Sequence, residues 1–205
     1  MHKKKRLLIF GFGYTSKFLC HKLAKKNWQV FCTTRFSEKF EEIQSINATP
    51  IAFDDEEKIK DLLDEDLYIL STAPPEKDSD PVIDSYGYLF KNNSERVRWV
   101  GYLSTTSVYG DKRGEWVTED TMLKPSLKRS ILRVVAENLW IKLGEILATK
   151  TMIFRLAGIY GPGRSLVDRL IENEKIYIVD KPGHLFNRIH IEDIVGAKIT
   201  YRNGL

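Results

Sequence analysis

Cysteine is scarce in this chain: Cys20 and Cys32 are the only two among 205 residues. They lack the spacing of a metal-ligand pair or of a disulfide framework, which excludes a stapled secreted domain and leaves two reduced thiols in the core. Long apolar runs are also missing. No run exceeds strand length, so no segment has the make-up of a membrane-spanning helix. The basic start, Lys3 to Arg6, is followed by an apolar segment that breaks at Gly11, too short for a secretory signal, and the expected location is the cytoplasm. Charge of one sign is nearly balanced, with 32 Lys and Arg against 28 Asp and Glu and a net charge of +4. With no recognisable nucleic-acid motif beside it, that mild excess predicts no nucleic-acid partner. His190 and Asp193 have no serine or cysteine nucleophile motif to accompany them, so no triad and no metal site is assigned. What is present is ordinary for a soluble globular protein, 42% hydrophobic and 29% charged, and long enough to bury a core as one domain over 1–205.

The informative stretch is 6–16. Leu7, Leu8, Ile9 and Phe10 form a strand-length apolar run that meets Gly11 and Gly13, and a helical spacing follows at once in Phe18, Leu19 and Leu23. A strand, a glycine turn and a helix start form a phosphate site, because glycine lets the backbone approach a ligand and the helix start offers free N–H groups. Ser16 stands where the dinucleotide fingerprint has its third glycine and is still small. Gly11, Gly13, Tyr14, Thr15 and Ser16 are therefore the candidate pyrophosphate site.

A second strand over 29–35 ends in Thr33, Thr34 and Arg35. An NAD-preferring protein of this type places a carboxylate here for the ribose hydroxyls, whereas arginine suits the 2′-phosphate of NADP. NADP is thus the expected cofactor, with NAD as the alternative. Further strands over 49–53, 67–70 and 98–103 alternate with helices over 38–46, 54–63 and 81–93, which predicts a parallel sheet covered on both faces with its ligand at the carboxyl ends of the strands. Asp54 falls at that edge near the expected adenine, and Ser71, Thr72 and Ala73 close the fourth strand.

The fifth strand delivers Ser104, Thr105, Thr106, Ser107, Val108, Tyr109, Gly110 and Asp111. Together with the stretch 154–163, Phe-Arg-Leu-Ala-Gly-Ile-Tyr-Gly-Pro-Gly, and 188–194, Arg-Ile-His-Ile-Glu-Asp-Ile, it resembles the extended short-chain dehydrogenase/reductases, the NAD-dependent epimerase/dehydratase superfamily. The resemblance implies a doubly wound Rossmann-type α/β fold and an NADP-preferring oxidoreductase or epimerase acting on a small polar or sugar-like substrate. It puts Thr105 on the reacting oxygen and Ser71, Thr72 and Ala73 beside the cofactor ribose. It also implies dimerisation through helices that here include 81–93 and 126–147.

Two departures qualify that picture. The family uses a Tyr-x-x-x-Lys pair on the helix after the fifth strand, and aligning on Ala136 and Glu137 puts Arg129 and Arg133 there instead. A guanidinium stays protonated at working pH and cannot exchange the proton a phenol would, although it can stabilise an oxyanion or hold a phosphate. Such substitution resembles the atypical branch of the superfamily. Arg129, Arg133 and Glu137, opposite Leu127, Ile131, Val134 and Leu139, form either a solvated ion-pair row or an anion-binding face over the nicotinamide end. Tyr109 is the nearby tyrosine that could substitute as the acid. The second departure is length: residues 157–205, with a helix over 166–173 and a strand over 175–179, are a remnant of the family's substrate lobe. A non-catalytic NADP(H)-binding sensor or scaffold is the alternative function.

Overall fold

The computed structural model describes residues 3–172 and 185–200. Six strands form one parallel sheet in the order β3-β2-β1-β4-β5-β6. They are β1 (Lys5–Phe10), β2 (Trp28–Thr34), β3 (Thr49–Ala52), β4 (Leu67–Ser71), β5 (Val97–Thr105) and β6 (Thr151–Leu156). The helices between them are α1 (Tyr14–Ala24), α2 (Phe40–Ser45), α3 (Glu56–Asp61), α4 (Pro81–Asn92) and α5 (Lys128–Ile146). Strand order 3-2-1-4-5-6 is the doubly wound Rossmann arrangement, and it reverses between β1 and β4, where a crevice opens at the carboxyl edge. β6 is the one strand of this six-stranded sheet that the sequence pattern did not announce.

Side chains alternate between faces along each strand, so both faces carry a core. Leu8, Phe10, Ile69, Val100 and Tyr102 pack under α4 and α5 with Phe90, Ala136 and Trp140. Leu7, Ile9, Leu70, Trp99 and Leu103 pack on the other face with Leu19 and Leu23 of α1. Cys20 and Cys32 are both buried in this second core, with their sulfurs 3.3 Å apart.

α4 begins where Asp80 accepts from the backbone N–H groups of Val82 (3.0 Å) and Ile83 (3.2 Å), with Pro81 in the first turn. The other oxygen of Asp80 accepts from Trp140 Nε1 at 3.0 Å, tying α4 to α5 through a buried carboxylate. Burial pushes the Asp80 carboxyl above its usual range, against the opposing pull of those hydrogen bonds.

α5 divides the three charges and the apolar stripe instead of setting them on opposite faces. Leu127 at its start and Ile131 are 51% and 47% exposed, while Glu137 is 1% exposed on the inward face with Ser130, Ala136 and Trp140. The three charges therefore do not form a solvated row. Glu137 is neutralised from outside the helix by Arg155 of β6, whose Nη2 donates to Glu137 Oε2 at 2.9 Å and whose Nε reaches both carboxylate oxygens at 3.2 Å. That pairing lets a carboxylate face the core, while Leu127 and Ile131 stay exposed and Val134 and Leu139 are half-buried.

Beyond β6, β7 (Gly158–Tyr160) and β8 (Arg188–His190) pair in parallel, with α6 (Leu166–Ile171) between them and α7 (Ile191–Thr200) after them. The strand expected over 175–179 lies outside the described residues. His190 accepts from the Glu192 backbone N–H at 3.3 Å and packs edge-on against Tyr160, so its observed contacts are those of a helix entry. Among the described residues no helix is long and apolar enough to cross a membrane, and no group of three acidic, His or Cys residues could hold a metal.

Candidate functional site: a groove at the switch of the sheet

The glycine turn at the end of β1 is built by three hydroxyls. Gly11 N–H donates to Thr33 Oγ1 (3.3 Å), and Ser16 Oγ donates to the Gly11 carbonyl (2.9 Å). Thr72 Oγ1 lies 3.0 Å from the Phe10 carbonyl, 3.1 Å from that of Gly11 and 3.2 Å from Ser16 Oγ. Ser16, in place of the third glycine, thus locks β1, β4 and α1 together.

The two glycines differ in what they permit. Gly11 has φ +97°, and a Cβ there would come 2.7 Å from Thr72 Oγ1, so the fold itself requires glycine. Gly13 has φ −110° and ψ −170°, open to any residue, and a Cβ there has no protein atom within 4 Å. Nothing in the protein demands glycine at 13; a ligand lying against the backbone would. Gly13 also caps α1 with no side-chain hydrogen bond and no acidic residue in the first turn, so the N–H groups and dipole of that helix start face the groove uncompensated.

Two hollows meet at Gly13 and Thr72. One, about 310 Å³, is lined by Thr34, Arg35, Lys39, Phe53, Ala73 and Glu76 among others. The other, about 360 Å³, is lined by Tyr14, Thr15, Ser104, Thr105, Arg133 and Arg164 among others. Together they form one groove along the carboxyl edge of the sheet. Ser104 is 6% exposed, and its Oγ has no hydrogen-bond partner, an orphaned polar atom in the wall of the second hollow.

Arg35 crosses the first hollow. Its guanidinium lies 4.9 Å from the Phe53 ring centre, and it donates to Glu76, Nη1 to Oε1 at 2.7 Å and Nη2 to Oε2 at 3.4 Å. That pairing holds the Glu76 carboxyl below its usual range. In the second hollow Arg133 donates from one nitrogen, Nη1, to Tyr102 Oη and to the Leu103 carbonyl, each at 2.9 Å. Burial pushes the Tyr102 phenol up to about 12 although Arg133 pulls against it. Burial also raises the Tyr14 phenol, whose hydroxyl donates to the Pro162 carbonyl at 3.0 Å.

Most of the expected cofactor residues come together here: Gly11, Gly13, Tyr14, Thr15, Ser16, Thr34, Arg35, Thr72 and Ala73 line the groove. Ser71 is buried behind it, its Oγ without a partner. Asp54 is exposed beyond β3 and stands outside both linings, where its neighbour Phe53 is found instead. Of the catalytic candidates, Thr105 and Arg133 reach the second hollow. Arg129 is exposed on α5 and lines neither hollow. Tyr109 is 6% exposed and accepts from Arg155 Nη1 at 3.0 Å, bound into the Glu137 pair instead of lining either hollow. Sequence reasoning missed Lys39, Glu76, Ser104 and Arg164. Two of them left a signal: Ser104 in its place in the hydroxyl cluster that closes the fifth strand, and Arg164 in its place beside the Gly-Pro-Gly stretch.

A conserved protein of unknown function from Silicibacter pomeroyi DSS has a solved structure that superposes with a TM-score of 0.87 at 37% identity, over 98% of this chain and 69% of that one. The chain belongs to that protein's family. The curated Protein YeeZ of Escherichia coli K12 is 27% identical over 94% of this chain and 71% of its own length. More distant structures carry the fold alone. They include the UDP-glucuronic acid 4-epimerase of Bacillus cereus, solved with UDP-glucuronic acid and NAD (TM-score 0.74, 21% identity, 96% of this chain and 73% of that one). No protein-family model matches the chain.

Proposed function

We propose that this protein binds a nicotinamide dinucleotide along the groove, prefers NADP(H), and acts as an oxidoreductase or epimerase on a small polar or sugar-like substrate. The observation that carries this reading is Gly13: an uncapped helix start beside a glycine that the fold does not need. Gly11, Gly13 and the first turn of α1 would hold the pyrophosphate, and Arg35, Lys39 and Phe53 the adenosine end. The orphaned Ser104 hydroxyl with Thr105 and Arg133 would meet the opposite end. When bound, the nicotinamide ring supplies or accepts a hydride. The described residues after β6, among them Ala157, Gly158, Ile159 and Arg164, would border the substrate.

The chain's own residues hold a substrate oxygen more readily than they exchange its proton. Thr105 Oγ1 accepts from the Ser107 backbone N–H at 3.3 Å, which leaves the hydroxyl hydrogen to donate. Arg133, anchored through Nη1, keeps its other hydrogens for a developing oxyanion. Aliphatic hydroxyls and guanidinium groups are poor proton donors as chemical types, and burial raises the phenols of Tyr14 and Tyr102. Any turnover is expected to be slow, without a tyrosine-like ionisation between about pH 6 and 9. A pH profile of carbonyl reduction in wild type, Thr105→Val and Tyr109→Phe checks this. Fast turnover controlled by one ionisation and lost in Tyr109→Phe would contradict it. The same lack of an acid favours a second reading, an NADP(H)-binding sensor or scaffold, for which saturable binding without turnover is the expected result.

Arg35 should discriminate between the cofactors through a charge-assisted contact with the 2′-phosphate. Arg35→Ala is expected to weaken NADPH about ten- to a hundredfold and to spare NADH. Equal weakening of both in a fluorescence titration would reduce Arg35 to a loop-holding role.

A further inference from the structure

Glu76 is the acidic residue in the wall of the Arg35 hollow, which Lys39 also lines. Its position is built. Glu76 and Ser79 exchange backbone hydrogen bonds of 3.0 and 2.8 Å, closing a turn in which Lys77 and Asp78 both take left-handed φ values of 46° and 63°. The turn is fastened at its far side, where Ser79 Oγ donates to Asp84 Oδ1 at 2.7 Å and Asp80 caps α4. A carboxylate carried on so constrained a turn stays beside Arg35.

A 2′-phosphate and this carboxylate compete for the same guanidinium. The fork that would grip a phosphate is turned onto Glu76, Nη1 to Oε1 and Nη2 to Oε2. The Arg35 and Glu76 side chains are 47% and 41% exposed, so solvent weakens the pair and a ligand can reach it. Lys39, with its Nζ over the Phe36 ring at 5.0 Å, supplies a second cation to the same hollow.

We infer that Glu76 tempers the choice of cofactor: NADP(H) enters by displacing its carboxylate from Arg35, whereas NAD(H) leaves the Arg35–Glu76 pair intact. This rests on the dinucleotide reading above and adds a specificity-determining residue to it. Lys39 lies outside the pair and is present for either cofactor, so the balance turns on the carboxylate.

The test is fluorescence titration of NADPH and NADH into wild type, Glu76→Gln, Arg35→Ala and the double variant. Glu76→Gln keeps the shape and removes the charge. It is expected to tighten NADPH about three- to tenfold while NADH changes by less than about twofold. In the Arg35→Ala background the gain should vanish, because the carboxylate then has nothing to withhold. An unmoved NADPH-to-NADH ratio in folded Glu76→Gln overturns the inference alone, as does a gain that persists without Arg35. Failure of the wild type to bind either nucleotide removes the dinucleotide reading and this inference together.

Discussion

Replacing Gly13 by valine is expected to abolish NADPH and NADH binding, by more than about a hundredfold, while the protein keeps its fold. The usual objection to a glycine substitution is backbone strain, and it does not apply here. Gly13 has φ −110°, and a Cβ at this site has no protein atom within 4 Å, so a side chain can start here without strain or a clash at its first carbon. The methyl groups of valine would instead fill the space through which a pyrophosphate approaches the first turn of α1. Gly11→Ala is the contrasting control. At φ +97° and against Thr72 Oγ1 it should cost stability, and so lose binding through the fold. Circular dichroism, thermal melting and nucleotide titration on the two variants separate these outcomes. A folded Gly13→Val protein with wild-type affinity would move the ligand away from the turn.

The largest effect on stability is expected at Glu137. Its carboxylate is 1% exposed and paired with Arg155, whose side chain is 19% exposed and also donates to Tyr109 Oη and the Glu119 carbonyl, each at 3.0 Å. Glu137→Ala leaves a guanidinium largely out of water without its counter-charge, a loss of about 3–5 kcal/mol. For a chain of this size that is a fall in Tm of roughly 6–20 °C. Replacing both partners, Glu137→Leu with Arg155→Met, should restore much of it, because no uncompensated charge remains. A Glu137→Ala protein melting within about 2 °C of wild type would show that water reaches Arg155 and that the pair contributes little.

This pair also shows where the sequence stops being readable. The periodicity of Leu127, Ile131, Val134 and Leu139 is a fair guide to a buried stripe only while charges stay in water. Arg155 is eighteen residues from Glu137 along the chain and on a different element, so nothing local reveals that a carboxylate can face inward. β6 was hidden for a related reason: it was visible only as part of a longer motif, and its register follows from pairing with β5. The β1 turn, by contrast, is read easily. There the apolar period changes from strand to helix across two glycines, and the backbone requires just that change. Arg35 was legible as the residue closing β2. Its partner Glu76 was not, because a polar loop has no period and its place is fixed by a turn made of Lys77 and Asp78. Thr105 and Arg133 could be placed by resemblance to a superfamily motif, whereas Tyr109, on the same motif, is held by Arg155 away from the groove.

The most direct measurement is calorimetric titration of the wild-type protein with NADPH and, separately, NADH. A groove held open at Gly13, with Arg35 at one end and Arg133 at the other, predicts saturable binding of one dinucleotide per chain, tighter for NADPH. Absence of binding heat for both nucleotides at millimolar concentration, confirmed by unchanged melting, would contradict it.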